Sequence, residues 1–188
     1  MRHRCVAYDM RSYGETTYET EEGWSPVTDA VAVLDAAVIQ KAVVIASSLG
    51  GRDAVDLTLA YPDRVAALVL IGTAMRGAPY PDLLQGPTAE LNAKIEAAES
   101  AGDLDEINRL EAWMWLDGPA ASEGRVTGPA RELFLEMNAH ALRAEWIPAR
   151  RPRSHRPGHD LGEIAVPTLI MVGRLRRRGH CGDQRTRR

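Results

Sequence analysis

Aromatic residues make up only 5% of this chain, and cysteine is nearly absent, with two in 188 residues. Cys5 and Cys181 sit at opposite ends and show neither metal-ligand spacing nor a disulfide framework, which argues against a stapled secreted scaffold and a thiolate metal site. No apolar run approaches the roughly 20 residues needed to cross a bilayer. The N-terminus, Met1-Arg2-His3-Arg4, leads straight into strand-like sequence with no apolar signal core. These absences predict a reduced, cytoplasmic chain without membrane contact and without a metal or other cofactor.

What the chain does have is a 45% hydrophobic content, much of it Ala, Val and Leu, enough for one sizeable core. Such a composition suits helices packed on a parallel sheet. Its net charge of −3 is unevenly spread. Arg174 to Arg188 hold seven arginines and a single acid, Asp183, a local charge of +6, which leaves −9 on residues 1–173. An ordinary acidic body therefore ends in a tail that does not match it.

Along the chain, Arg4 to Asp9 reads as a short buried strand and Met10 to Gly14 as a turn. Thr28 is placed to cap a helix with Ala30, Val31, Leu34, Ala37 and Val38 on one face. Ala42 to Ala46 is β-branched and uncharged, as a central strand should be. A helix from about Arg52 to Tyr61 stops at Pro62, and Ala67 to Ile71 gives another buried strand. The character changes beyond the Gly- and Pro-rich stretch 73–87. Thr88 to Ala101 predicts a helix ended by Gly102. Asp103 caps a second, with Leu104, Ile107, Leu110 and Trp113 on one face, and Thr127 caps a third with Pro129 in its first turn. Val166 to Gly173 returns to the pattern of a buried strand. Strands alternating with helices predict a doubly wound parallel sheet interrupted by a helical insertion.

The candidate chemistry lies in Ala46-Ser47-Ser48-Leu49-Gly50-Gly51. A serine hydroxyl is a poor nucleophile unless a base removes its proton and the backbone exposes it. A sharp strand-to-helix turn gives the exposure, but it strains the nucleophile and demands small residues two before and two after it. Ser48 has Ala46 and Gly50 at those places, whereas Ser47 would have Ile45 and Leu49. Gly51 would let the following helix approach closely. The helix N-terminus adds partial positive charge, and the Leu49 N–H is a candidate oxyanion donor. The plainer alternative is a Gly-rich helix start that binds a phosphate or nothing; the apolar strand before it and the helix after it favour the turn.

Val6 to Gly14 resembles the strand and "D-x-R-G-x-G" loop of small α/β-hydrolases of the serine esterase or enol-lactonase type. Asp29 to Ala74 resembles the centre of that family, and Val166 to Gly173 the strand that normally delivers the triad acid. Ser12 stands where Gly is usual, and Ala46 replaces the first Gly of the elbow. The resemblance covers most of residues 4–74 and 164–173. It implies an α/β fold: a partial α/β-hydrolase core with about four mostly parallel strands flanked by helices, plus a helical cap. The division it implies is a core with the elbow at 1–82, a cap at about 83–160, a core strand at 161–173 and an Arg-rich, disordered tail at 174–188.

The same resemblance implies what is missing, as though the chain were truncated at both ends. The family has three strands and a His-Gly loop, source of the second oxyanion donor, before the strand at Val6. No carboxylate follows Gly173 where the triad acid belongs. His180 follows the last strand too closely to be the triad histidine, and His140, His155 and His159 lie in or after the cap. No triad acid or histidine is identified. Hydrolysis of a small-molecule carboxylic ester or lactone through Ser48 is the activity the resemblance implies, with this chain itself expected to be inactive or severely impaired. Trp113, Trp115, Leu116, Phe134 and Met137 are candidates to line an acyl pocket; the plainer alternative is that most of them pack the cap helices together. An inactive relative is the second reading. A third is weak, nonspecific nucleic-acid binding by the tail, which lacks aromatic residues. Oligomeric state is left open. The charge break at residue 174 predicts translation in a shifted frame: another frame of the underlying DNA should restore an acidic loop, a strand and a late histidine. The idea fails if neither frame does.

Overall fold

In a computed structural model that describes residues 3–18, 23–73, 85–144 and 161–172, three apolar runs become strands: β1 (Ala42–Ser47), β2 (Val65–Ile71) and β3 (Thr168–Met171). They form one parallel sheet in the order β1-β2-β3, with Ile45 beside Val69 and Val69 beside Leu169. Parallel neighbours cannot be joined by a tight turn. Helix α2 (Ser48–Ala60) makes the crossover from β1 to β2. Its Ala54 and Val55 pack on Leu68 and Leu70, with Val44, Ala46, Ile164 and Val166 around them. Leu68 is fully buried there. The alternate positions Val43, Ile45 and Leu169 are each more than half exposed.

The expected parallel sheet flanked by helices is therefore present, but with three strands among the described residues and not four. Residues 3–10 form no strand, and Val6 and Tyr8 are exposed. Apolar content gives a segment only a preference; a strand also needs a neighbour to take its N–H and C=O groups. Here the bonding is local. The Glu15 N–H donates to the Asp9 carboxylate, the Thr16 hydroxyl to the Asp9 carbonyl, and the Tyr13 N–H to the Met10 carbonyl. Gly14 holds φ +51, where any other residue would be strained, and a Cβ on it would push aside the Asp9 carboxylate that the Glu15 N–H bonds.

By backbone proximity the chain divides into two units, one of Met1–Gln40 with Arg76–Asp160, the other of Lys41–Met75 with Leu161–Arg188. The second holds the sheet and α2. In the first, helix α1 (Pro26–Ala36) is capped by Ser25, three residues before the predicted Thr28. The two form a reciprocal box: Ser25 Oγ accepts the Thr28 N–H, and the Thr28 hydroxyl accepts the Ser25 N–H. Pro26 follows at a position that needs no N–H. Arg11 clamps the same first turn, its guanidinium reaching both oxygens of Asp29 at 2.8 and 3.0 Å while lying over the Trp24 ring.

Helices α3 (Gly86–Ala101), α4 (Leu104–Glu111) and α5 (Pro129–Arg143) belong to the same unit. Gly102, at φ +69, ends α3, and Asp103 caps α4 by accepting the Glu106 N–H. Leu91, Ala98, Ile107, Leu110 and Met114 form their core. Leu104, expected on that face, is exposed as the first residue of α4. The start of α5 lies on Gly128, not Thr127, because Gly128 takes φ +71, which a threonine would strain to adopt. No helix among the described residues is long and apolar enough to cross a membrane.

Helix α4 runs on into a π-helical turn, Ala112–Asp117, whose last residue organises the segment that follows. The enclosed Asp117 carboxylate accepts the N–H groups of Gly124 and Val126, each at 2.8 Å, and Arg131 Nη1 at 2.7 Å. Enclosure pushes its pKa up, but the Val126, Arg131 and Gly124 donors outweigh that and hold it below the ordinary carboxylate value. A depressed folded pKa gives stability that is present above the unfolded value, about 3.9, and is lost as pH falls through the folded one. Asp117→Ala should therefore cost about 3 kcal/mol in chemical denaturation near neutral pH, since it strands Arg131 and two amides. Asp117→Asn should weaken the drop in melting temperature on acidification. An unchanged acid profile in Asp117→Asn would show that the carboxylate is not its source.

Candidate active site

Strand β1 gives way to α2 with no linker, so the chain changes direction between Ser47 and Ser48. Ser47 is extended, at φ −122, and Ser48 is left-handed, at φ +47. An L-residue in that region is strained by about 1–2 kcal/mol. The strain falls on the exposed serine at the C-terminal end of β1 and the N-terminus of α2. Among the described residues the Ser48 hydroxyl has no hydrogen-bond partner. The helix carries no acidic residue in its first turn, and Ser47 makes no side-chain cap. Its first N–H groups, Leu49's included, thus keep their partial positive charge without a side-chain counter-charge. Leu49 itself is 38% exposed.

The small residues around Ser48 sit in different surroundings. Ala46 is half-buried against the Ala54, Val55, Leu68 and Leu70 cluster. At Gly50, among the described residues, no atom beyond its chain neighbours and its own helix backbone lies within 4 Å of where a Cβ would stand, so no close contact there demands a glycine. The demand falls on Gly51, and it comes from the end of β2: a Cβ on Gly51 would lie 2.1 Å from Thr73 Oγ1. Nothing in the motif pointed to Thr73, which lies more than twenty residues along the chain, behind Gly72.

Of the five proposed pocket residues, Trp113 packs against the core of the helical unit, donates its Nε1–H to the Ala121 carbonyl at 2.8 Å and lies under Lys94 Nζ. Leu116 and Phe134 are half-buried, whereas Trp115 and Met137 are 65% and 61% exposed. His140 is exposed on α5. His155, His159, His180, Asp183, Gly173 and the segment Arg174 to Arg188 lie outside the described residues. Among the described residues no three His, Cys, Asp or Glu side chains group as metal ligands.

An exposed hydroxyl at an uncapped helix N-terminus is suited to attack a carbonyl carbon and to have the resulting oxyanion stabilised by backbone N–H groups. If Ser48 is strained for that purpose, relieving the strain should help the fold. Ser48→Gly should raise stability by about 1 kcal/mol, because glycine adopts φ +47 freely, while Ser48→Ala should not. Urea denaturation of the three proteins compares them, and equal stability of Ser48→Gly and Ser48→Ala would show that the turn is unstrained.

Comparison with known proteins places this arrangement. Residues 1–187 match the model of the alpha/beta hydrolase family. The chain is 27% identical over 142 residues to a 2-hydroxy-6-oxononadienedioate/2-hydroxy-6-oxononatrienedioate hydrolase of Paraburkholderia xenovorans (strain LB400), covering 76% of this chain and 48% of that protein. It is 35% identical over 184 residues to a Variovorax paradoxus (strain S110) protein named for carbamate hydrolysis, RutD, covering 89% and 62%. Among solved structures, a hydrolase from Pseudomonas aeruginosa PA01 superposes with a TM-score of 0.58 at 25% identity, covering 88% of this chain and 60% of that one. The chain thus spans about half to three-fifths of the length of these relatives. The match along nearly the whole sequence, joined to a parallel sheet whose first strand turns directly into a helix at Ser48, shows that the chain belongs to the alpha/beta hydrolase family.

Proposed function

We propose that this chain carries the nucleophilic centre of a hydrolase acting on a small carbonyl compound, a carboxylic ester or lactone, with Ser48 as nucleophile and the Leu49 N–H as one oxyanion donor. The observation that carries this reading is the left-handed backbone of an exposed serine at a strand-to-helix junction. Strain of that kind persists only where the surrounding structure enforces it, and such positions cluster at active sites. Serine needs no special backbone for packing or for capping, and Ser48 does neither as the first residue of α2.

In the proposed reaction the Ser48 oxygen attacks the carbonyl carbon as a base takes its proton. The carbonyl oxygen becomes an oxyanion beside the Leu49 N–H and the α2 N-terminus. The proton passes to the leaving group, and an acyl-enzyme remains for water to hydrolyse. Relatives named for oxo-dienedioates and for carbamates share the carbonyl electrophile with esters and lactones. They differ in the leaving group, which is carbon, nitrogen or oxygen. The helical segment would set that choice in this reading.

A fluorophosphonate probe tests the nucleophile. Its phosphorus is attacked by an activated serine with loss of fluoride, which leaves a covalent adduct readable by mass. An adduct gained by the full chain and not by Ser48→Ala would support the nucleophile. Absence of labelling in the unaltered chain would replace this reading with that of a catalytically inactive relative.

A further inference from the structure

Beyond the elbow itself, the end of β2 bears on it. Gly72, at φ +52, turns the chain out of the strand, and Thr73 comes next. A Cβ on Gly51 would stand 2.1 Å from Thr73 Oγ1, 2.6 Å from Cγ2 and 2.8 Å from Cβ, closer than such atoms can be. The forked Thr73 side chain therefore occupies the volume that belongs to a side chain at residue 51. In a helix the Cα–Cβ bonds tilt toward the N-terminus, so that volume lies over the turn beginning at Ser48, three residues earlier. Among the described residues the buried hydroxyl of Thr73 has no hydrogen-bond partner. A buried hydroxyl without a partner destabilises a fold, so a hydrogen bond is not what the residue contributes. What remains is its shape.

We propose that Thr73 is a positioning residue for Ser48, a wedge seated in the socket left by Gly51 that keeps the first turn of α2 from relaxing out of the strained conformation at its start. The proposal rests on the reading of Ser48 as a nucleophile for its chemical consequence, though not for its mechanical one. The wedge acts through the backbone, and Thr73 touches no reacting atom in it. Shape and not polarity is the operative property, so valine should replace threonine and smaller residues should not.

The test uses the full chain and two readouts. One is the rate of fluorophosphonate labelling at Ser48, separated into its limiting rate and its half-saturating probe concentration. The other is backbone hydrogen exchange at Gly51, Arg52 and Asp53, whose N–H groups bond to the carbonyls at the start of α2. Thr73→Gly should lower the limiting rate about 100-fold, the scale expected for misplacing a reacting group by about an ångström, with half-saturation unchanged. Exchange at the three amides should speed up. Thr73→Val should recover most of the rate and melt no lower than the unaltered protein. Gly51→Ala should lose labelling, and the double variant Gly51→Ala/Thr73→Gly should regain part of it by removing the clash. Should Thr73→Gly fail to fold, Thr73→Ser, which lacks only the methyl, carries the same comparison. Labelling by Thr73→Gly at the unaltered rate, or a double variant no better than Gly51→Ala, overturns the proposal. If the unaltered chain is not labelled, the nucleophile reading alone fails. The exchange data then decide, and unchanged exchange in Thr73→Gly overturns the wedge.

Discussion

The passage from Ser47 to Ser48 takes the backbone from extended to left-handed in a single residue, and the helix it launches must return over the strand it has just left. Ala54 and Val55 fix that return by packing on Leu68 and Leu70. Once α2 is seated, much of the sheet unit follows. The crossover brings β2 alongside β1 in parallel, Ala46 packs against the cluster that α2 makes with β2, and Gly51 must stay bare against the end of β2. Each of these is a steric condition on one turn. Shifting the turn by a side chain's width would break them together.

The helical unit rests on a different kind of constraint. Its helices are started and stopped by local devices, the Ser25 box, the Gly102 stop and the Asp103 cap, and its core is made by neighbours along the chain. Asp117 is the exception. From the end of a π-helical turn it gathers donors seven, nine and fourteen residues ahead, and so gives an irregular segment a defined path without regular hydrogen bonding. Arg125 completes the arrangement by donating to the carbonyls of Leu116 and Asp117.

What could be read in the residues and what could not divide along these lines. The strand-to-helix turn at Ser48 was legible because its rule is local, a serine between small residues after an apolar strand. The helix ends were legible to within a few residues for the same reason, and the misplaced caps, Thr28 for Ser25 and Thr127 for Gly128, are errors between two capping-competent residues close together. The strand at Val6 was misread because its apolar pattern says nothing about whether a neighbour exists to pair with it. Asp117 and Thr73 were invisible. The first depends on a π-helical turn that no spacing rule signals. The second depends on a contact between residues 51 and 73 that only the closed crossover creates.

One feature of the sheet also has a bearing on how the chain assembles itself. Leu68 lies beside Thr168, a hundred positions further along the chain. Helices form within microseconds, and the helical unit, made mostly of near neighbours, can settle soon after it is synthesised. The β3 edge of β2 has no such option. At ribosomal speeds of about 5–20 residues per second, that edge waits roughly 5–20 seconds for its partner strand to emerge, its backbone donors and acceptors open to any other extended segment in reach. The pairing of β3 with β2 is thus a late step set by topology, and the edge that waits for it is one that the finished fold conceals.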